Sequence, residues 1–339
     1  MESAVTAPEG VVLPPAPPAG FDPVGRATDR ARLAEFGLPP APHATREPAL
    51  HAHWATLFAP GMRFVNPRPR AAVADDCLLR RHKMFALRRA GARPASRLSV
   101  SGNWSGGWIA ANRGERFRAV AARWRVPSVA PGAAVDKAAE PYRCSIWVGL
   151  DGKHAWAASM PQLGTEHTAG PEGGHRFWWQ WWILNSADMQ HYVEGLALSA
   201  DDEVLCYLAM LSTTRVVYCF ANISKQQVAV AIVSKPDNPM RGSTAEWILE
   251  RPANGKVIDG EVITGNLFPM PDFGLVTSSG FAASCVALDD PAEARARDLV
   301  HCRTIQNGTV RRGPKRIGVT ARAERYRLRD LAIRYQPAK

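Results

Sequence analysis

The 339-residue chain holds six cysteines (Cys77, Cys144, Cys206, Cys219, Cys285, Cys302), but no CxxC pair and no Cys/His spacing, which argues against a zinc site. His154, His167, His175 and His191 show no ligand spacing either, so no metal or cofactor is expected. No run approaches the ~20 apolar residues of a membrane span. The N-terminus, MESAVTAPEGVVLPPAPPAG, has neither the basic nor the apolar region of a secretory signal. No GxSxG elbow supports a serine hydrolase. Helix-turn-helix, zinc-finger and RNP-like motifs are missing too, so the formal net charge of +11 does not by itself imply nucleic-acid binding. No internal repeat is visible.

What is present divides the chain in two. Residues 1–98 carry 14 Lys/Arg against 8 Asp/Glu, and the remainder 28 against 23. The first fifty residues are rich in Pro, Ala and Gly (LPPAPPAG, GLPPAPHA), a composition that favours extended, poorly ordered chain. Residues 76–90, DCLLRRHKMFALRRA, have the pattern of a short basic amphipathic helix. The stretch from Arg63 to Arg97 is offset only by Asp75 and Asp76, as expected of a solvated surface or of a segment lying over an acidic groove. The expected division is an N-terminal extension over 1–98 and a folded domain over 99–339.

From Ser99 the texture changes. Short runs rich in Val, Ile, Trp, Tyr and Phe recur between Gly, Pro, Asn and Asp turns, which predicts an antiparallel β-sandwich or barrel. LCYLAML and RVVYCF, joined by STT, read as a hairpin that brings Cys206 near Cys219, either disulfide-bonded or as buried thiols. Residues 288–300, LDDPAEARARDLV, are the one predicted helical insertion.

Side chains alternate along a strand, so each run splits into two faces. In CSIWVGLDG, Ile146, Val148 and Leu150 suit a core, leaving Trp147 and Asp151 opposite. HRFWWQWWIL is aromatic on both faces: Trp178, Gln180 and Trp182 on one, Phe177, Trp179 and Trp181 on the other. Either both are covered or one lines a groove. In STAEWILER, Trp247 and Leu249 point inward, with Glu246 and Glu250 outward. At about 3.3 Å per residue the two carboxylates stand roughly 13 Å apart, beyond the ~5–9.5 Å of a glycosidase pair. Each therefore needs a partner from another strand.

NWSGGWIAA, RWRVPSV, IWVGLDG, MPQLGTEH, FWWQWW, AEWILE and FPMPDFG occur in that order. Together, over residues 101 to about 280, they resemble the glutamic peptidase (eqolisin) family. The resemblance implies an all-β sandwich of two antiparallel sheets whose concave face binds an extended peptide. It also implies a Gln/Glu dyad without metal or cofactor: Gln162 as catalytic glutamine and Glu250 as catalytic glutamate, with Glu246 as the alternative. Trp147, Asp151, Trp178, Gln180 and Trp182 match cleft-lining positions.

By the same resemblance a carboxylate activates water as general base, while the glutamine amide stabilises the oxyanion. The implied protein is an endopeptidase acting on polypeptides at acidic pH, secreted or at the cell exterior, a monomer without nucleic-acid or membrane partners. It is made as a zymogen whose basic prosegment maps to Arg63–Arg97. The chain departs from the family at Gln180 (a cleft glutamate there), near Arg176 (commonly Asp), at Leu163 after the glutamine, and at Arg251, all of which make the cleft less acidic. Two rival readings remain: a sugar- or peptide-binding sandwich using the tryptophan face, and a jelly-roll glycosidase pairing Glu250 with Asp151.

Overall fold

The computed structural model of the chain describes residues 8–72, 77–78, 84–85, 99–132, 141–154, 156–171, 173–184, 186, 190–258, 261–310 and 317–337. Its strands form two facing layers. The front layer runs, in spatial order, through Arg68–Ala71, His191–Glu194, Gly174–Ile183, Ser159–Ala169, Tyr142–Leu150, Thr244–Glu250, Trp104–Ala110 and Arg303–Val310. The back layer runs through Asp330–Tyr335, Leu275–Ala287, Glu115–Arg125, Glu203–Ser212, Arg215–Asn222 and Gln227–Ser234. Ile317–Arg327 pairs with the last front strand and the first back strand, carrying the ladder round one side. All of these pairings are antiparallel.

Period-two alternation decides what fills the space between the layers. Ile146, Val148, Leu150, Trp247, Leu249, Phe177, Trp179 and Trp181 turn inward from the front sheet. They meet Phe117, Trp124, Cys206, Leu208, Tyr218 and Phe220 of the back sheet. The residues in between point the other way: Trp147, Ile248 and Trp178 join Trp104, Trp108, Met160 and Tyr192 in a second cluster on the outer face of the front sheet. The outer face of FWWQWW is thus packed with aromatics as the inner one is, Trp182 only partly buried.

A third layer lies behind the back sheet. Leu33, Leu38, Leu50, Trp54, Leu57 and Phe58 pack on Leu205, Tyr207, Val217, Val230 and Ile232. Two helices present all of these N-terminal residues except Leu38 and Phe58, which follow them. Asp29 caps Arg30–Glu35 by accepting from the Arg32 N–H (3.0 Å). Pro48 opens Pro48–Leu57, where its missing N–H removes no helical bond. The layer is tied down by the pairing of Val11–Val12 with Ile232–Val233 and by the Trp54 indole N–H donating to the Pro39 carbonyl (2.9 Å). His53 Nε2 donates to the Gly280 carbonyl (2.5 Å). The expectation of loose chain over the first fifty residues is corrected from residue 8 onward, because its scattered apolar side chains share one partner surface.

Two helix expectations are also corrected. Cys77–Leu78 pairs with Ala253–Asn254, and Met84–Phe85 with Val100–Ser101, so these pieces of 76–90 are extended; the rest of that stretch lies outside the described residues. So do Arg80, Arg81, Lys83, Arg88, Arg89, Arg93 and Arg97. Residues 288–300 form no helix: Arg295–Ala296 pairs with Ser284–Cys285, and burial of Ala294 and Leu299 outweighs the local helical propensity. The Cys206/Cys219 hairpin forms, but the register sets Cys206 opposite Phe220 and Cys219 opposite Tyr207. That one-residue offset turns the sulfurs to opposite faces, Cys206 between the sheets and Cys219 under the N-terminal layer. Both are free thiols.

Candidate active site

The front sheet's outer face carries the polar groups of interest, and inter-strand register groups them into rows. Gln162 pairs with Gln180 on one side and Gly149 on the other. Gly149 pairs with Glu246, Glu246 with Trp108, and Trp108 with Arg303. Adjacent strands lie about 4.8 Å apart, so the backbones at Gln162 and Glu246 stand roughly 10 Å apart, with only a glycine between them. A Cβ on Gly149 would fall 3.1 Å from Gln162 Cβ and 3.0 Å from Trp147 Cζ3. With only a hydrogen at Gly149, no side chain of that residue stands between the two polar groups in the row.

Glu250 sits two rows along, beyond the row of Ile248, Trp147, Gly164 and Trp178. It pairs with Trp104 and Ser145, Ser145 with Glu166, and Glu166 with Arg176. Its oxygens accept hydrogen bonds from Asn103 Nδ2 and Trp147 Nε1, both 2.9 Å. Those contacts hold Trp147 edge-on to Trp104, ring centres 4.9 Å apart. Glu166 is buried against Arg176 (3.0 Å) and accepts from Gln190 Nε2 (3.2 Å), while the Arg176 guanidinium lies over Tyr192 (4.0 Å).

Of the residues expected at the site, Gln162, Gln180 and Glu246 share one row. Glu250 lies four residues along its strand from Glu246, and Trp147, Trp178 and Trp182 line the face around them. Asp151 does something different. In a left-handed backbone conformation (φ 67°), it accepts four hydrogen bonds, from the N–H groups of Arg241, Gly242 and Ser243 and from the Ser243 hydroxyl, at 2.6–2.8 Å. It ties down the loop before Thr244 and so positions Glu246.

The Glu246 carboxyl is fully buried. Gly152 sits over it: a Cβ there would stand 3.4 Å from Glu246 Cδ and 2.8 Å from Trp104 Cη2. Neither carboxyl oxygen has a hydrogen bond of normal geometry among the described residues. Burial, with the nearby Asp151 charge adding to it, pushes the Glu246 pKa up to about 8; the Thr244 hydroxyl and the Gly152 and Lys153 N–H groups temper the rise. Gln162 Nε2 donates to Gln180 Oε1 (3.3 Å), while Gln162 Oε1 is buried without a partner among the described residues. No group of three or more His, Cys, Asp or Glu among the described residues could hold a metal ion.

Two further residues at this face were open to discovery by face analysis alone, and a third was not. Trp108 lies four residues from Trp104 and Glu166 four from Gln162, each pair on one side of its strand; both carry i, i+4 spacing in the sequence. Lys153 follows a strand end and had no such signal.

Residues 102–311 match the model of the Peptidase A4 family. No curated protein sequence matches the chain significantly. Among solved structures, scytalido-glutamic peptidase with a peptide-based transition-state analogue aligns over 69% of this chain and 98% of its own, with TM-score 0.52 and 18% identity. SCP-B, a member of the eqolisin family solved with the tripeptide Ala-Ile-His, aligns over 69% and 98%, with TM-score 0.50 and 17% identity. At such identity these likenesses establish the shared sandwich fold. The family match spans well over half of the chain, which therefore belongs to the Peptidase A4 family and is a glutamic-type peptidase.

Proposed function

We propose that this peptidase cuts internal peptide bonds with Gln162 and Glu246 as its catalytic pair, Glu250 serving as a positioning group. The observation that carries the reading is where unsatisfied polar atoms gather. Gln162 Oε1 and the Trp108 and Trp178 indole N–H groups are buried without hydrogen-bond partners among the described residues, and both Glu246 oxygens are buried without a hydrogen bond of normal geometry, all on one face of one sheet. Each such group costs about 1–3 kcal/mol, and native folds keep few. An extended peptide with its attacking water offers the donors and acceptors they lack.

In this reading ionised Glu246 takes a proton from a water over Gly149, and the water oxygen bonds to the scissile carbonyl carbon. Gln162 Nε2 donates to the oxygen as it becomes negative, and Gln180 Oε1 fixes the amide's orientation. The tetrahedral intermediate then collapses, and Glu246 passes its proton to the departing nitrogen. Trp147, Trp178 and Trp182 supply flat apolar walls for the substrate's side chains. With a pKa near 8, only about one Glu246 in a thousand is ionised at pH 5. That favours a working range near neutrality over strong acid.

Residues 8–71 contribute a layer on the back sheet and a strand at one edge of the front sheet, so in this proposal they stay with the folded enzyme and are not a removable prosegment. Export and a monomeric state fit the family resemblance and belong to the same proposal. No described helix is long and apolar enough to cross a membrane.

Peptide hydrolysis by Gln162→Ala, Glu246→Gln and Glu250→Gln tests the pair. Loss of ~10³-fold in kcat is expected for the first two, and about tenfold or less for Glu250→Gln, whose amide can still accept from Asn103 or Trp147. An inactive Glu250→Gln beside an active Glu246→Gln would reverse the assignment.

A further inference from the structure

The row through Gln162 and Glu246 continues to Trp108 and Arg303, and its far end is cationic. The Arg303 guanidinium lies 5.4 Å from the Trp108 ring centre and the Lys153 ammonium 4.9 Å from the same ring. Lys153 belongs to the loop that Gly152 seats over the Glu246 carboxyl. That loop also sets His154 edge-on to Trp108 (6.3 Å) and stacks it on Trp156 (5.0 Å, 12°). Trp156 is 57% exposed and lies under Arg241 (5.3 Å). The result is an aromatic shelf edged by three cations, at the end of the row that holds Gln162 and Glu246.

Two like charges on one indole repel. Half-burial and the Arg303 charge both depress the Lys153 pKa, and the Glu246 carboxylate offsets them. A carboxylate arriving beside the two cations would relieve that repulsion in the same sense as Glu246 does. Trp108 lies two strands beyond Gly149, about 10 Å away. Two residues of extended chain at ~3.3 Å each plus an acidic side chain span that distance.

We infer that Lys153 and Arg303, seated on Trp108, form a substrate subsite for a carboxylate side chain, Glu or Asp, within two residues of the scissile bond on the Glu246 side. The inference rests on the Gln162–Glu246 reading for the place of the scissile bond.

Matched quenched-fluorescence peptides carrying Glu, Gln or Lys at each of the two positions on either side of the cut would test it. In the wild type, kcat/KM for Glu should exceed that for Gln by about five- to tenfold at one position, and raised ionic strength should shrink the ratio. The ratio should fall toward one in the Lys153→Gln/Arg303→Gln double variant, and Arg303→Glu should shift the preference toward Lys. Equal rates for Glu and Gln at every position, or a preference that survives loss of both cations, would overturn the subsite. The same ratios read as binding of uncleavable reduced-bond peptides, through tryptophan fluorescence, hold whether or not the chain hydrolyses them. A binding preference without hydrolysis would thus fault the catalytic pair and leave the subsite standing, and hydrolysis without any preference would do the reverse.

Discussion

Replacing Gly149 by valine is expected to stop hydrolysis while leaving the sandwich folded. The first added carbon would meet Gln162 Cβ at 3.1 Å, Trp147 Cζ3 at 3.0 Å and the Pro161 carbonyl oxygen at 3.0 Å. Contacts that tight displace their neighbours by a few tenths of an ångström. The two methyls of valine would then stand in the row between Gln162 and Glu246. A misplacement of about 1 Å at a reacting centre costs on the order of 10²-fold in rate. Gly149→Ala should therefore lose about 10²-fold in kcat, and the bulkier Gly149→Val, which also displaces the water, more still. Overpacking should cost about 1–3 kcal/mol of stability, partly recovered because valine suits a strand better than glycine. Peptide hydrolysis would be measured alongside thermal unfolding and near-UV circular dichroism. A folded Gly149→Val protein that hydrolyses peptides within about threefold of the wild-type rate would refute the idea that chemistry occurs over Gly149.

Four further outcomes are expected. Because burial raises the Glu246 pKa to about 8 and the base must be ionised, kcat/KM should climb with pH along a limb centred well above the ordinary carboxylate value of about 4.3. A limb centred below pH 5 would contradict this. The same raised pKa means the folded state holds a proton that the unfolded chain has released, so this contribution to stability wanes as pH rises from about 4.5 to 8, and Glu246→Gln should flatten that slope. His53 acts in the opposite sense. Burial lowers its pKa to about 4, so the stability it contributes is full above about 6.5 and is lost as pH falls toward 4, at most about 3 kcal/mol; acid unfolding of His53→Gln should begin at lower pH. For the N-terminal layer, Trp54→Ala should cost about 3–5 kcal/mol, and a chain begun at Ser99 should aggregate because Tyr207, Val217, Val230 and Ile232 lose their cover. A soluble, active chain from Ser99 would show the layer to be dispensable.

The sequence made some of this legible and hid the rest for identifiable reasons. Alternation in CSIWVGLDG and STAEWILER assigned Ile146, Val148, Leu150, Trp247 and Leu249 to the core, and they are there, because a half-buried strand writes its faces into its own residues. Choosing between Glu246 and Glu250 needed something a single strand does not hold. Both point the same way, and only the pairing of Gly149 with both Gln162 and Glu246 sets one of them in the glutamine's row. The N-terminal layer was illegible for a similar reason. Leu33, Leu50, Trp54 and Leu57 look sparse among prolines, and their common partner is a sheet formed more than a hundred residues later. In residues 288–300 a helical composition yielded to edge pairing with Ser284–Cys285. The Cys206/Cys219 hairpin was visible, but its one-residue offset, which separates the sulfurs, was not.

The most direct measurement is a crystal structure with a peptide whose scissile amide is replaced by a hydroxyl-bearing tetrahedral carbon. The hydroxyl oxygen is expected within about 3 Å of both Gln162 Nε2 and the Glu246 carboxyl, with Gly149 beneath it. A hydroxyl lodged beside Glu250 and Ser145, out of hydrogen-bonding reach of Gln162, would contradict the pairing of Gln162 with Glu246.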